Sequence, residues 1–309
     1  MRRTVAPECE VGHPTFTGRP ARPPKLCRVR GLITVFAVLM GCAAYAGAPV
    51  SANAGLDTSG VLPFGGLDRT YRLHVPAAAD HPAGLVINLH GAGMTGGEQE
   101  SATNYDAAAD RHGFAVVYPD GIDLSWADGR GASVPDRQGV DDVGFLAALA
   151  DRLTRDYGID PGRVFATGLS AGAFMAMRLA CQRADVVAAI APVAGSLGSA
   201  VACAPSRPVS VFATNGASDP IVPYSGGGMV GRGGASDIVA PPAMAARWRE
   251  LDHCPAPVDD AVSAVVHLST AAGCADGTEV VFVRVDGGGH EWFGGASDVS
   301  AQFFASHAR

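Results

Sequence analysis

The pentapeptide Gly168-Leu169-Ser170-Ala171-Gly172 sets one hydroxyl between two glycines, where the apolar run RVFATG gives way to the Met- and Ala-rich run AFMAMRLAC. Glycines two residues before and two after a serine let a strand and a helix approach closely around a sharp turn. The turn lifts the hydroxyl above the sheet edge and sets it at a helix N-terminus, where unpaired N–H groups favour developing negative charge. A serine hydroxyl is a weak nucleophile, so this chemistry needs a base and an orienting acid elsewhere in the chain. Asp219 follows the apolar run VSVFATNG in the segment ASDPIVPY, and His290 follows EVVFVRVDG in the segment GGGHEWFG. The order serine, acid, histidine is the one a nucleophile elbow requires. Each residue also has a plainer reading: a helix-capping serine, an aspartate opening a turn before Pro220, and a surface histidine. His253, beside Cys254, and His307, near the chain end, are poorer candidates for the base.

Acyl transfer through a serine also needs two backbone donors for the oxyanion. The N–H of Ala171 is the expected first donor. The second is expected from the loop after GLVINLH, where Ala92 is the choice and Gly91 and Gly93 are its neighbours; a plain glycine-rich turn is the rival reading. Trp126 in SWADGR and Trp292 beside His290 are candidates for lining a substrate pocket, with buried aromatic packing as the equal alternative.

These side chains need a scaffold that brings three distant segments to one edge. The runs RTYRLHV, GLVINLH, GFAVVYP, RVFATG, VVAAIAPVAG, VSVFATNG and EVVFVRVDG are short, β-branched and closed by Gly, Pro or Asp, as strands are. Helical periodicity fills the gaps: in SATNYDAAADRHG, in DDVGFLAALADRLTRDYG with Val143, Leu146, Ala150 and Leu153 on one face and Asp141 or Asp142 as cap, after Ser170, in PAMAARWRELDHC, and in DVSAQFFASH. Strands alternating with helices predict an α/β fold with a mostly parallel sheet covered by helices on both faces. Open sheets of this kind build sites at strand C-terminal ends, where Ser170, Asp219 and His290 all fall.

The chain has 309 residues, 48% of them hydrophobic, and a net charge of −7. Seven basic residues (Arg2, Arg3, Arg19, Arg22, Lys25, Arg28, Arg30) precede the uncharged run GLITVFAVLMG, which reads as an export signal and is short for a membrane span. Two cleavage sites compete: Leu39-Met40-Gly41-Cys42 resembles a lipobox that would make Cys42 a lipid-carrying N-terminus, and Ala44-Tyr45-Ala46 resembles an ordinary signal-peptidase site. The division expected is an export region over 1–46, a flexible tether over 47–60 and one catalytic domain over 61–309. Residues 1–41 carry a net +5, from seven bases and two acids, which leaves −12 on the remainder. That balance argues against nucleic acid as a partner. Lys25 is the sole lysine, so a lysine Schiff base or a Ser-Lys dyad is excluded once the leader is gone. The glycines from Gly226 to Gly234 lack the Lys-Ser/Thr end of a phosphate loop. No cofactor or metal is expected: there is no C-x-x-C, and His253-Cys254 has no close-spaced partner pair. In an oxidising compartment Cys181, Cys203, Cys254 and Cys274 suggest two disulfides, the sequence-local pairing being Cys181–Cys203 with Cys254–Cys274 among three formal connectivities.

The ordered series LHGAG, VVYPDG, SWADGRG, VDDVGFLAAL, YGIDPGRVFATGLSAGAFMAMRLAC, AAIAPVAG, ASDPIVPY and GGGHEWFG resembles the secreted polyhydroxybutyrate-depolymerase-like esterases, including feruloyl and acetylxylan esterases and mycobacterial-type lipoprotein esterases, over roughly residues 61–309. The resemblance implies an α/β-hydrolase fold without a large lid domain, Ser170, Asp219 and His290 as nucleophile, acid and base, a Cys181–Cys203 bridge, and an ester substrate that is short-chain, aromatic or attached to a polymer. The chain departs from the family pattern at Asn215-Gly216 (often His-Gly), at Ala171 (often Asn) and at Glu291-Trp292-Phe293 (usually Thr-Trp-Pro), which bears on acyl preference. The rival functions are a peptidase or an acyltransferase of the same fold, and a surface binding protein whose triad has decayed.

Overall fold

The computed structural model describes residues 55–77 and 81–309, so Cys42, both cleavage sites and residues 47–54 of the expected tether lie outside the described residues. Five strands are buried along their whole or nearly whole length: β3 (Gly84–Leu89), β4 (Phe114–Pro119), β5 (Val164–Leu169), β6 (Ala189–Val193) and β7 (Ser210–Gly216). With β12 (Glu279–Val285) they form a parallel array in the order β4-β3-β5-β6-β7-β12. Strands of this apolarity have no solvated face, so helices must cover both sides.

Alternation along each strand sorts its side chains between two cores. Leu85, Ile87 and Leu89 of β3 and Val164 and Ala166 of β5 face one side, where α4 (Asp142–Tyr157), α5 (Ala171–Gln182) and α6 (Pro241–Leu251) pack. Val86 and Phe165 face the other, against α2 (Tyr105–His112) and α7 (Ala296–Ser306). Asp141 caps α4 by accepting the Gly144 N–H at 2.8 Å. Asp142 instead turns inward to the Arg69 guanidinium at 2.7 Å and accepts the Ala127 N–H at 2.7 Å, which ties the 125–133 loop to the core.

The expected helix around SATNYDAAADRHG is two helices. α1 (Gly96–Thr103) starts at a Thr95–Glu98 capping box, and Asn104 in the left-handed region (φ 45°) separates it from α2. Antiparallel strands extend both sheet edges. β1 (Leu56–Phe64) pairs with β2 (Leu67–Val75), which pairs with β4. At the far edge, β11 (Val266–Ala272) links β12 to β10 (Val258–Ala261). Residues 56–60, expected to be tether, are therefore the first part of a paired strand, with Leu56 opposite Val75. β8 (Gly227–Gly231) and β9 (Gly234–Ile238) form a separate hairpin; the short α3 (Val134–Gln138) lies in the loop region between β4 and α4. Two disulfides close in the sequence-local pairing: Cys181–Cys203 joins α5 to the segment before β7, and Cys254–Cys274 joins the end of α6 to the β11–β12 connection.

Candidate active site

Ser170 stands between β5 and α5 with φ 53° and ψ −115°, a backbone state that a residue with a Cβ rarely adopts. Its N–H donates to Val193 O and its carbonyl accepts from Phe174 N–H, both at 3.0 Å, so the turn is held from both sides. The flanking glycines are required by close backbone approach. A Cβ on Gly168 would lie 2.7 Å from Leu89 O and from the Gly172 carbonyl carbon, and one on Gly172 would lie 2.1 Å from Leu89 O. The helix thereby starts directly against the end of β3.

Asp219 and His290 sit on the loops after β7 and β12, whose parallel pairing sets the loops side by side. Gly216 has no room for a side chain because a Cβ would meet Gly288 O at 2.3 Å, and Ser218 N–H donates to Gly288 O at 3.0 Å. His290 Nδ1 lies 2.8 Å from Asp219 Oδ2. Asp219 Oδ1 accepts the N–H groups of Ile221 (2.8 Å) and Val222 (2.9 Å). Burial by itself would push this carboxyl up; the His290 hydrogen bond and the two backbone donors outweigh it and hold Asp219 below the usual carboxylate range. An ionised Asp219 accepts from Nδ1–H, which leaves Nε2 as the nitrogen able to exchange a proton.

Ser170, His290, Ala171 and Ala92 line one cavity of about 210 Å³. Among the described residues no hydrogen bond joins Ser170 Oγ to His290; the two groups share the cavity wall. Gly93 N–H is engaged with Leu124 O at 2.8 Å, Gly91 is buried, and of the three Ala92 lines the cavity. The loop is braced by His90, fully buried at the end of β3. Its Nε2 accepts the Gly121 N–H at 2.9 Å, so Nδ1 carries the proton and donates to Gly91 O at 2.9 Å. Burial holds His90 below the usual histidine range, consistent with a neutral structural ring.

The family model for esterase PHB depolymerase matches residues 69–287. The chain belongs to the esterase PHB depolymerase family. It is accordingly a serine carboxylic ester hydrolase, and its architecture is the α/β-hydrolase fold. The chain is 33% identical over 252 residues to the putative esterase NocK of Nocardia uniformis subsp. tsuyamanensis, covering 74% of this chain and 72% of that one. It is 28% identical to feruloyl esterase B of Piromyces equi over 68% of this chain and 40% of that one. With the bifunctional acetylxylan esterase/xylanase XynS20E of Neocallimastix patriciarum it shares 27% identity over 73% of this chain and 31% of that protein. Acetyl xylan esterase from Aspergillus awamori superposes with a TM-score of 0.60 at 16% identity, over 80% of this chain and 99% of that one, a likeness of fold.

Neither candidate tryptophan of this esterase lines the cavity. Trp126 is fully buried, packs at a tilt against His90 with centroids 4.7 Å apart, and donates its indole N–H to His90 O at 2.9 Å, so it braces the loop that carries Ala92. Trp292 packs against the core on the α2/α7 side and donates to Ser297 Oγ at 3.0 Å. What lines the cavity besides Ala92, Ala171, Ser170 and His290 is Ser125, Arg130, Ala132, Ser133, Ile221 and the β8–β9 hairpin. The hairpin roofs the site. Met229 and Ile238 pack on Phe174 and Val222, Ser199 N–H donates to Asp237 O at 3.0 Å, and Ser196 Oγ donates to Val239 O at 2.6 Å. The sequence carries no alternating apolar signal for it, since Met229 and Val230 are adjacent and Ile238 is the one large apolar residue of β9.

Among the described residues one group of three side chains could ligate a metal: Asp57, His74 and Asp106, none of which lines the cavity. His74 there has both ring nitrogens engaged, Nδ1 with Asp57 at 2.7 Å and Nε2 with Asp110 at 3.0 Å. Burial opposes its charge, yet the two carboxylates win and raise it above the usual histidine range, and both ring nitrogens are already engaged by carboxylates. No helix among the described residues is long and apolar enough to cross a membrane.

Proposed function

We propose that Ser170 is the acyl-accepting nucleophile, His290 the proton carrier and Asp219 its orienting anion. Ser170 Oγ attacks the ester carbonyl while Nε2 of His290 takes the hydroxyl proton. The tetrahedral oxyanion is held by the N–H groups of Ala171 and Ala92. Collapse breaks the bond to the alcohol, which leaves with the proton from His290, and the acyl group stays on Ser170. Water then attacks the acyl-enzyme by the same route in reverse and releases the acid. The observation that carries this reading is the Asp219–His290 hydrogen bond at 2.8 Å beside a cavity shared with a serine in a strained elbow. The strain supports it because a capping serine has no need of φ 53°.

The substrate class is short-chain or aromatic acyl esters, free or carried on a polymer. The names of the relatives favour this, and so does a cavity of about 210 Å³, which is below the ~300–1,000 Å³ typical of drug-sized ligands. The leader and the two disulfides support export through residues 1–46, with lipidation at Cys42 as the anchored alternative to cleavage after Ala46. Mass spectrometry of the mature N-terminus separates those two. The catalytic assignment is tested with p-nitrophenyl acetate and methyl ferulate: Ser170→Ala abolishes turnover and labelling by a fluorophosphonate, whereas equal rates in the variant and the parent end the assignment.

A further inference from the structure

The hairpin roof carries a charge that the acyl-transfer scheme does not use. Three titratable side chains line the cavity: His290, Arg130 and Arg232, with no carboxylate among them. Arg130 is neutralised. Its guanidinium makes a two-pronged contact with Asp128 (Nη2–Oδ2 2.6 Å, Nε–Oδ1 3.0 Å) and lies over the Phe174 ring at 3.9 Å. Arg232 is different. It occupies the two-residue turn between β8 and β9, is exposed, and among the described residues has neither an ion pair nor a hydrogen bond.

Its position is held by the backbone rather than by a partner of its own charge. The neighbouring Gly233 sits so close to the 132–133 loop that a Cβ there would lie 2.6 Å from Ala132 O. Arg137 Nη1 donates to Gly233 O at 3.2 Å and also to Ala132 O. The turn is thus clamped, and the Arg232 side chain reaches across to the oxyanion loop. Its Cδ, Nη1 and Nε come within 3.4, 3.5 and 3.7 Å of where a Cβ on Gly93 would be. Gly93 directly follows Ala92, and consecutive Cα atoms are ~3.8 Å apart. A guanidinium therefore stands at the cavity mouth about one residue from the proposed oxyanion donor, unpaired and facing the space a substrate must enter.

We propose that Arg232 forms an anion subsite that makes esters carrying a carboxylate near the scissile bond the preferred substrates. This rests on the esterase reading above and deepens it by naming the recognised group. A planar guanidinium accepts a carboxylate in two parallel N–H···O bonds, and the clamped turn lowers the ordering cost of making them. The carboxylate belongs to the acyl half, as in hemiesters of short dicarboxylic acids, or to the alcohol half, as in acetyl esters of hydroxybenzoates; the cavity mouth serves both.

The test compares matched pairs on the mature protein. Mono-p-nitrophenyl glutarate against p-nitrophenyl pentanoate reads the acyl half, and acetyl-p-hydroxybenzoate against phenyl acetate reads the alcohol half. The expected result is a kcat/KM preference for the anionic member of one pair of about fivefold or more, carried by KM and shrinking as salt rises, since exposed charge pairs are modest and screened. Arg232→Gln abolishes that preference by lowering kcat/KM for the anionic member relative to its neutral partner, and Arg232→Glu reverses it. Equal treatment of anionic and neutral members by the parent, or a preference that survives in Arg232→Gln, overturns the subsite. Failure of the parent to hydrolyse any of the four esters would instead overturn the esterase reading, and the subsite with it.

Discussion

A methyl group added at Gly172 tests whether the close approach of α5 to β3 aligns the active site. A Cβ at this position would lie 2.1 Å from Leu89 O, 2.5 Å from the Leu89 carbonyl carbon and 2.9 Å from His90 O. Optimal non-bonded separation is about 3.5 Å, so helix and strand must part by about 1.4 Å in Gly172→Ala. All three obstacles are backbone atoms, and no side chain can swing away. The first turn of α5 carries Ser170 and Ala171, and the end of β3 leads into His90 and Ala92, so the separation widens the gap between the two proposed oxyanion donors. Such donors must stand about 2.7–3.1 Å from the oxyanion, and a misplacement near 1 Å costs about 10²-fold in rate. Overpacking of this kind costs about 1–3 kcal/mol, or roughly 2–12 °C in Tm for a domain of this size. The assay is kcat on p-nitrophenyl acetate together with the thermal midpoint, with Gly228→Ala as control because a Cβ there meets nothing within 4 Å. A cooperatively melting Gly172→Ala protein with kcat within twofold of the parent and an unchanged midpoint would refute the argument.

Asp219→Asn keeps the carbonyl that accepts from Ile221 and Val222 but loses the anion facing His290 Nδ1; kcat is expected to fall about 10³–10⁴-fold with KM little changed, measured by steady-state kinetics. Trp126→Phe removes the donor to His90 O, leaving a buried carbonyl unpaired at a cost of about 1–3 kcal/mol, and it is expected to lower kcat more than it raises KM. Asp252 is buried with one oxygen unpartnered, and burial, only partly opposed by Val209 N–H, pushes its carboxyl up to about 7. A carboxyl raised in the fold contributes stability that is fully present below about pH 4 and is lost as pH rises through about 7, some 4 kcal/mol in all for a shift of about 3 pKa units. Asp252→Asn should therefore flatten the decline of Tm between about pH 4 and pH 7; an identical decline in the variant would count against it.

The parts of this esterase that depend on short-range pattern were legible before any coordinates. Gly168 and Gly172 bracket Ser170 because the turn geometry needs them, and that need is written in five consecutive residues. The five fully or nearly fully buried strands read as short, mainly apolar, β-branched runs, and a strand ending in a loop already says at which edge Asp219 and His290 must appear. Strands that are largely exposed or rich in glycine were not readable in the same way. β1 and β10 are largely exposed, and β8 and β9 bury chiefly Met229 and Ile238 between glycines and polar residues. Their pairing is stabilised by neighbours that are distant in sequence or by a turn, so little of it shows in local composition.

Tertiary structure alone decided which face each versatile residue meets. Trp126 sits among Asp128, Gly129 and Arg130 in a stretch that reads as a surface loop, yet the pairing of Asp142 with Arg69 and with Ala127 N–H folds that loop inward and buries the indole on His90. Ala92 is the donor expected from its loop, and tertiary structure adds that Leu124 O takes the Gly93 N–H while Ala92 lines the cavity. Arg232 lies in a glycine-rich segment with no motif, and only the seating of its turn on Ala132 brings it to the cavity mouth. Residue type and spacing encode what a turn or a strand can be; which groups it touches is settled by contacts across separations such as the 71 residues between Asp219 and His290, and those exist only once the chain has closed on itself.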